Sequence, residues 1–125
     1  MVELPVRYRQ GLPYVMLSID EQRVDALVDT GASSHLVIPE DSDLAAALRS
    51  RYAFTPNERQ IFAIGGTRTV SQSVAMIPEL TVGGQRFTKV IVELRETRRP
   101  RLGARFFSER KQVLLQRRGS LWVRP

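Results

Sequence analysis

From Tyr14 to Ile19 the apolar side chains Val15, Leu17 and Ile19 alternate with Met16 and Ser18, and a period of two marks a strand with one face more buried than the other. Asp20-Glu21-Gln22 supplies a polar turn, and Arg23 to Val28 resumes the alternation, so residues 14–28 are predicted to form a β-hairpin. His35-Leu36-Val37-Ile38 reads as a short apolar strand ended by Pro39. From Pro39 the signals become those of a helix of roughly 2–3 turns. Proline stands at its start, Glu40, Asp41 and Asp43 fall in the first turn, Leu44 and Leu48 are four apart, and Arg49 and Arg51 lie near the end that favours cations. After Pro56 the strand pattern returns in residues 60–64, is interrupted by Gly65-Gly66 and resumes in residues 67–77. Residues 80–82, the pair Gly83-Gly84 and residues 87–94 make a second strand, turn and strand. Leu102 to Arg110 suits a second short helix with Phe106-Phe107 as its core side, and residues 113–115 and 121–123 close the chain as strands, with Trp122 in the core or at an interface. Seven or eight strands and two short helices predict a mainly-β, closed or sandwich-like structure, with no internal repeat and no linker.

Composition narrows the chemistry. A chain of 125 residues, 42% hydrophobic and 26% charged, is expected to make a single domain over residues 1–125. The absence of cysteine removes disulfides, thiol nucleophiles and thiolate metal sites together, and a single histidine leaves neither serine-histidine chemistry nor a conventional zinc site much to draw on. No metal and no cofactor are expected. No apolar run approaches the ~20 residues of a membrane span, and the first residues lack a secretory pattern, so the expected location is the cytoplasm, either as the chain stands or as a piece excised from a longer precursor.

The net charge of +6 is concentrated late in the chain. Residues 95–118 carry nine basic and two acidic side chains, a local excess of seven. Clustered arginine is an electrostatic footprint for phosphate. The run has no recognition motif, however, and Phe106-Phe107 suits a helix core better than a base-stacking platform, so a solvated basic face is expected and nucleic acid is not. An intermediate reading makes Arg98-Arg99-Pro100-Arg101 an exposed loop on which acidic substrate segments dock.

The segment that carries chemistry is Ala26-Leu27-Val28-Asp29-Thr30-Gly31-Ala32-Ser33-Ser34. A carboxylate directly after an apolar strand is fixed at the end of a rigid element, and the following glycine, lacking a Cβ, lets the backbone turn beside it. That is the arrangement carboxylate acid–base catalysis requires. His35 is expected to be a structural or surface residue, since carboxylate chemistry gives it no role.

Asp29-Thr30-Gly31-Ala32 after an apolar strand resembles the signature of aspartic proteases, and in a chain this short it is similar to the single-domain, retroviral-type (retropepsin-like) members. The resemblance extends over roughly residues 12–123, with residues 14–28 as the hairpin before the motif, Leu36–Ile38 as the strand after it, Ile64-Gly65-Gly66-Thr67 as the tip of a substrate-binding flap, and Leu102-Gly103 opening the closing segment. It implies a mainly-β, closed barrel-like acid-protease fold with one or two short helices, assembled as a two-fold dimer. It also implies Asp29 as the catalytic residue, with Thr30, Gly31 and Ala32 supporting the active-site loop. Thr30 would hydrogen-bond to the backbone of the partner subunit, and apolar flap residues such as Ile61 or Ile64 would line side-chain pockets. One departure stands out: Arg101 occupies a position before Gly103 that is usually apolar in the family.

The chain has one Asp-Thr-Gly, and neither Asp25 on the preceding strand nor Asp41 and Asp43 in the helix reads as a second catalytic carboxylate. An aspartic endopeptidase built on this sequence therefore needs a homodimer, with an Asp29 from each subunit acting on a peptide or protein substrate. The rival reading is a retropepsin-like dimerisation or peptide-binding module with weak or absent hydrolysis, which Arg101 and the basic closing segment favour.

Overall fold

The structure, a computed structural model, describes residues 2–108, 113–117 and 120–123. Strands β3 (Leu12–Ile19) and β4 (Gln22–Asp29) form the first hairpin, paired from Ile19–Gln22 to Tyr14–Leu27. Its turn is Asp20-Glu21, both with positive φ (47° and 71°), the combination that matches a two-residue connection to the twist of its strands; Gln22, expected in the turn, already belongs to β4. Ahead of it lie β1 (Val2–Pro5) and β2 (Arg7–Arg9), short elements that the sequence pattern did not announce.

Strand β5 (Leu36–Pro39) is buried throughout. Pro39 ends this strand rather than opening a helix, and α1 (Asp43–Arg51) starts four residues later. Its N-cap is Ser42, whose hydroxyl oxygen accepts from the Ala45 N–H at 3.1 Å, so Glu40 and Asp41 precede the helix and Asp43 alone is acidic in the first turn. Leu44, Ala45 and Leu48 are its buried face.

Two long strands follow, β6 (Thr55–Ala63) and β7 (Gly66–Val82). β7 absorbs residues 67–77 and 80–82, which the sequence pattern had separated. The pairing with β8 (Gln85–Arg95) passes over Pro78, which has no N–H to give, and opposite it Lys89 adopts a φ of 54°. Strand β9 (Arg101–Gly103) and helix α2 (Ala104–Ser108) complete the first 108 residues, so the helix expected from Leu102 begins two residues later; Arg110, its expected end, lies outside the described residues. Phe106 and Phe107 are fully buried, as a core helix face requires. Strands β10 (Val113–Arg117) and β11 (Ser120–Val123) join β1 in a three-stranded sheet of order β1-β11-β10. The Trp122 side chain lies outside the described residues.

The larger sheet runs β2-β3-β4-β9-β5-β8-β7-β6, and a further pairing of β7 with β3 through Leu17–Val82 and Ser18–Thr81 brings its hydrogen bonding back to the first hairpin. β9 lies between β4, to which it is parallel, and β5, to which it is antiparallel. Val15, Leu17, Ile38, Leu48, Ile77, Phe87, Leu102 and Phe106 belong to the core inside this sheet. Beyond the Gln72–Arg95 pair β7 is paired with β6 only, so the outer part of the β6–β7 hairpin stands away from the rest as a two-stranded arm. The described residues are thus mainly β with two short helices. Among the described residues no helix is long and apolar enough to cross a membrane.

Candidate active site

Asp29 is the last residue of β4, and its neighbour across the sheet is Gly103, the last residue of β9. The loop after it closes on itself where the Ala32 N–H donates to the Asp29 carbonyl at 3.2 Å. Three further backbone bonds tie the loop to the β9–α2 junction: Gly103 N–H to the His35 carbonyl (2.9 Å), Ala104 N–H to Ala32 (2.8 Å) and Arg105 N–H to Ser34 (2.9 Å). The carboxylate side chain is about one-third exposed (32%), and Thr30 and Gly31 are exposed.

The glycines here differ in what they do. A Cβ on Gly103 would stand 2.3 Å from the Ser34 carbonyl oxygen and 2.1 Å from its hydroxyl, so the loop and β9 approach as closely as they do only because residue 103 has no side chain. Gly31 is under no such constraint. A Cβ there would make an ordinary 3.6 Å contact with Asp29 Oδ1, and its φ is not in the left-handed region. The tight-turn reason expected for Gly31 is therefore not the operative one; its lack of a side chain leaves the space beside the carboxylate open.

A buried acid that sequence reasoning missed braces this loop from behind. Glu93, on β8 and 4% exposed, accepts from the backbone N–H of His35 at 3.2 Å, from Gln72 at 3.4 Å and from the Arg59 guanidinium at 3.4 Å. Arg59, on β6, also donates to the carbonyl and the hydroxyl of Ser33. The base of the hairpin arm is thereby joined to the loop that follows Asp29. A glutamate inside the apolar run Val90–Leu94 was the available signal, since a charge in a buried strand demands a partner. His35, buried, contributes its backbone, consistent with a structural role.

Arg101 departs from the apolar pattern without disturbing the register, because β9 pairs with β4 and β5 in unbroken order. Its guanidinium Nη1 lies 3.8 Å from Asp29 Oδ2. Beside the Asp29 loop is an open cleft of about 640 Å³, bounded by Gly31–Ser34, the arm residues Arg59, Gln60, Arg68 and Val70, and the stretch from Arg95 to Arg98 with Arg101; Asp29 adjoins it without being one of its lining residues. Of the two residues named for substrate pockets, Ile64 is fully exposed at the tip of the arm and the Ile61 side chain lies outside the described residues.

The family model for aspartyl proteases matches residues 15–107, which is the first hairpin, the Asp29 loop, the arm and the β9–α2 junction together. The chain belongs to the aspartyl protease family. Among solved structures it is similar to a retropepsin-like aspartic protease from Rickettsia conorii, with a TM-score of 0.65 over 98% of this chain and 89% of that one at 16% identity, a likeness that establishes the fold as retropepsin-like. No protein of curated function matches it in sequence. For an aspartyl protease the arrangement brings together Asp29, Thr30, Gly31, Ala32, Leu102 and Gly103, whereas Ile64, Gly65 and Gly66 sit at the far end of the arm. No cluster of three or more metal-binding side chains occurs among the described residues.

Proposed function

We propose that this aspartyl protease is an endopeptidase whose active unit is a homodimer, each subunit supplying one Asp29, and that residues 1–125 act as one retropepsin-like domain. The observation that carries the reading is Asp29 at the end of β4, one-third exposed beside an open cleft, with the loop behind it tied by four backbone hydrogen bonds. One carboxylate in a rigid seat does half of the acid–base work. Two facing carboxylates share one proton, since like charges about 3 Å apart resist simultaneous ionisation. The ionised Asp29 takes a proton from a water between them, the protonated one donates a hydrogen bond to the scissile carbonyl, and the water oxygen attacks that carbon without a covalent enzyme intermediate.

In this reading Thr30, exposed beside the carboxylate, meets the partner's backbone, and the β3–β7 pairing closes the core into a barrel-like form. The β6–β7 arm serves as the flap, with Ile64, Gly65 and Gly66 at its tip folding over an extended peptide. In the same reading residues 121–123, which lie on β11 of the small β1-β11-β10 sheet, contribute to the dimer contacts.

The non-hydrolytic reading has one observation in its favour, the Arg101 guanidinium 3.8 Å from Asp29. A single variant separates the two. Asp29→Asn should abolish peptide hydrolysis while circular dichroism and melting stay those of the wild type. Retention of more than a few per cent of the activity would remove Asp29 from the chemistry. Specific activity should also fall on dilution, in step with the monomer fraction measured by sedimentation; constant activity through dissociation would refute a shared site.

A further inference from the structure

The cleft beside Asp29 is lined by five guanidinium groups, each from a different place in the fold: Arg59 on β6, Arg68 on β7, Arg95 at the end of β8, Arg98 in the loop beyond it and Arg101 on β9. Among the described residues one acidic side chain, Glu96, lines it with them. Two of the five are occupied, Arg59 by Glu93 and Ser33 and Arg101 by Asp29. The guanidinium groups of Arg68, Arg95 and Arg98 make no side-chain hydrogen bond or ion pair among the described residues. Burial depresses the Arg95 pKa from its ordinary value; Glu93 opposes this, and the neighbouring Arg59 and Arg101 add to the depression. Arginine keeps its charge at any such depression, so the cleft holds unneutralised cations that an arriving anion would stabilise.

We propose that this cleft selects peptide segments with aspartate or glutamate close to the scissile bond, their carboxylates received by Arg68, Arg95 and Arg98. The proposal rests on the reading of Asp29 as the catalytic carboxylate, because that reading makes the cleft the path of the substrate. An extended peptide sends alternate side chains to one face, and a guanidinium fork takes a carboxylate by two parallel hydrogen bonds. In a two-fold dimer the cluster is duplicated, so acidic residues are favoured on both sides of the cut. Among the described residues Val37 and Val70 are the branched apolar side chains lining the cleft, and they offer an apolar substrate little to bury against. Nucleic acid is the poorer match to the same charge: among the described residues no aromatic side chain lines the cleft, and single strands need stacking surfaces as well as cations.

The test uses the wild-type protein and three peptides that share an apolar scissile pair and differ in carrying Glu, Gln or Lys at the flanking positions. Cleavage of the Glu peptide should exceed that of the Gln peptide about tenfold in kcat/KM at low salt and approach parity near 1 M salt, where charges are screened within about 3 Å. Arg68 and Arg98 are exposed, so the double variant Arg68→Glu/Arg98→Glu should fold, and it should turn the preference toward the Lys peptide. Equal or better cleavage of the Gln or Lys peptide by the wild type overturns the proposal while leaving the endopeptidase intact. Reduced-amide versions of the same peptides separate the two ideas from the other side. Tighter binding of the Glu analogue without cleavage of any peptide upholds acidic selection and rejects hydrolysis, and absence of any binding or cleavage rejects both. Displacement of the Glu analogue by a single-stranded oligonucleotide at lower concentration than by the free Glu peptide assigns the cations to nucleic acid and overturns the proposal.

Discussion

The seat of Asp29 and the β6–β7 arm face the same cleft and are built in opposite ways. The seat is locked: backbone hydrogen bonds join residues 29–35 to the β9–α2 junction, Ser34 and His35 are buried, and Gly103 leaves no space between strand and loop. The arm is open. Past Gln72–Arg95 its two strands are ladder-paired only with each other, with Arg59 tying their base to Ser33 and Glu93, and at the tip Gly65 and Gly66 adopt φ of 100° and 132° with nothing within 4 Å of where a Cβ would stand. A two-stranded ribbon is marginally stable by itself, so it opens at a lower cost than the global fold. A site that must hold a carboxylate still and also admit a polypeptide chain requires both kinds of construction.

The contrast is broken most severely from the seat side. Gly103→Ala would drive a methyl group to 2.3 Å from the Ser34 carbonyl oxygen, and neither backbone can yield without moving the other. A loss of about 3 kcal/mol by denaturant titration is expected, at the upper end of overpacking costs, together with loss of hydrolysis because the Asp29 loop is displaced. A Gly103→Ala protein that keeps both would show the loop to be less confined than its contacts imply.

Glu93→Ala tests the brace between the two regions. It removes the acceptor for the His35 N–H, Gln72 and Arg59 at once. Breaking a fully buried pair costs roughly 3–5 kcal/mol, but the Arg59 side chain is 23% exposed and recovers water, so about 2 kcal/mol is expected. Arg59→Met, which takes out the cation and leaves an apolar stem, should cost less than Glu93→Ala. The reverse order would mean that the ion pair, rather than the backbone N–H that Glu93 satisfies, dominates the brace.

How much of this was legible in the sequence follows from the range of the interactions. The first hairpin, β5 and the Gly83-Gly84 turn are local periodicity and turn chemistry, and they appear where the pattern put them. Asp29-Thr30-Gly31-Ala32 was legible as a resemblance, and its position at the end of β4 agrees with that. The start of α1 was misplaced because Pro39 and three acidic residues imitate an N-terminus, whereas the deciding feature is the Ser42 hydroxyl reaching Ala45. β1 and β2 escaped notice since their partners, β11 and β3, decide their conformation rather than any periodicity of their own. The Glu93 brace joins residues up to 58 positions apart, and the arginine cluster draws on four strands and a loop. Each arginine alone reads as a solvated surface charge; only the folding of β6, β7, β8 and β9 around one cleft turns them into a field.

The smallest effect on stability is expected at the arm, and there it parts from the effect on activity. Gly65 is the second residue of the turn between Ala63 and Gly66, with a φ of 100° that an alanine tolerates poorly. Gly65→Ala meets no steric obstacle, so the cost is conformational and confined to the tip, about 1 kcal/mol of local strain. Because the outer arm is paired with nothing else, that strain is relieved by local opening and should leave the global melting transition within about 1–2 °C of the wild type. Hydrolysis depends on the tip closing over substrate in the proposed mechanism, so kcat/KM should fall about tenfold, close to the amount by which 1.4 kcal/mol shifts a closing equilibrium. Hydrogen exchange separates the possibilities. Amides of residues 66–71 should exchange faster in Gly65→Ala while those of β4 and β9 do not change. If the melting transition falls as far as in Gly103→Ala, the arm is part of the same cooperative unit as the seat; if kcat/KM does not change, the tip plays no part in holding substrate.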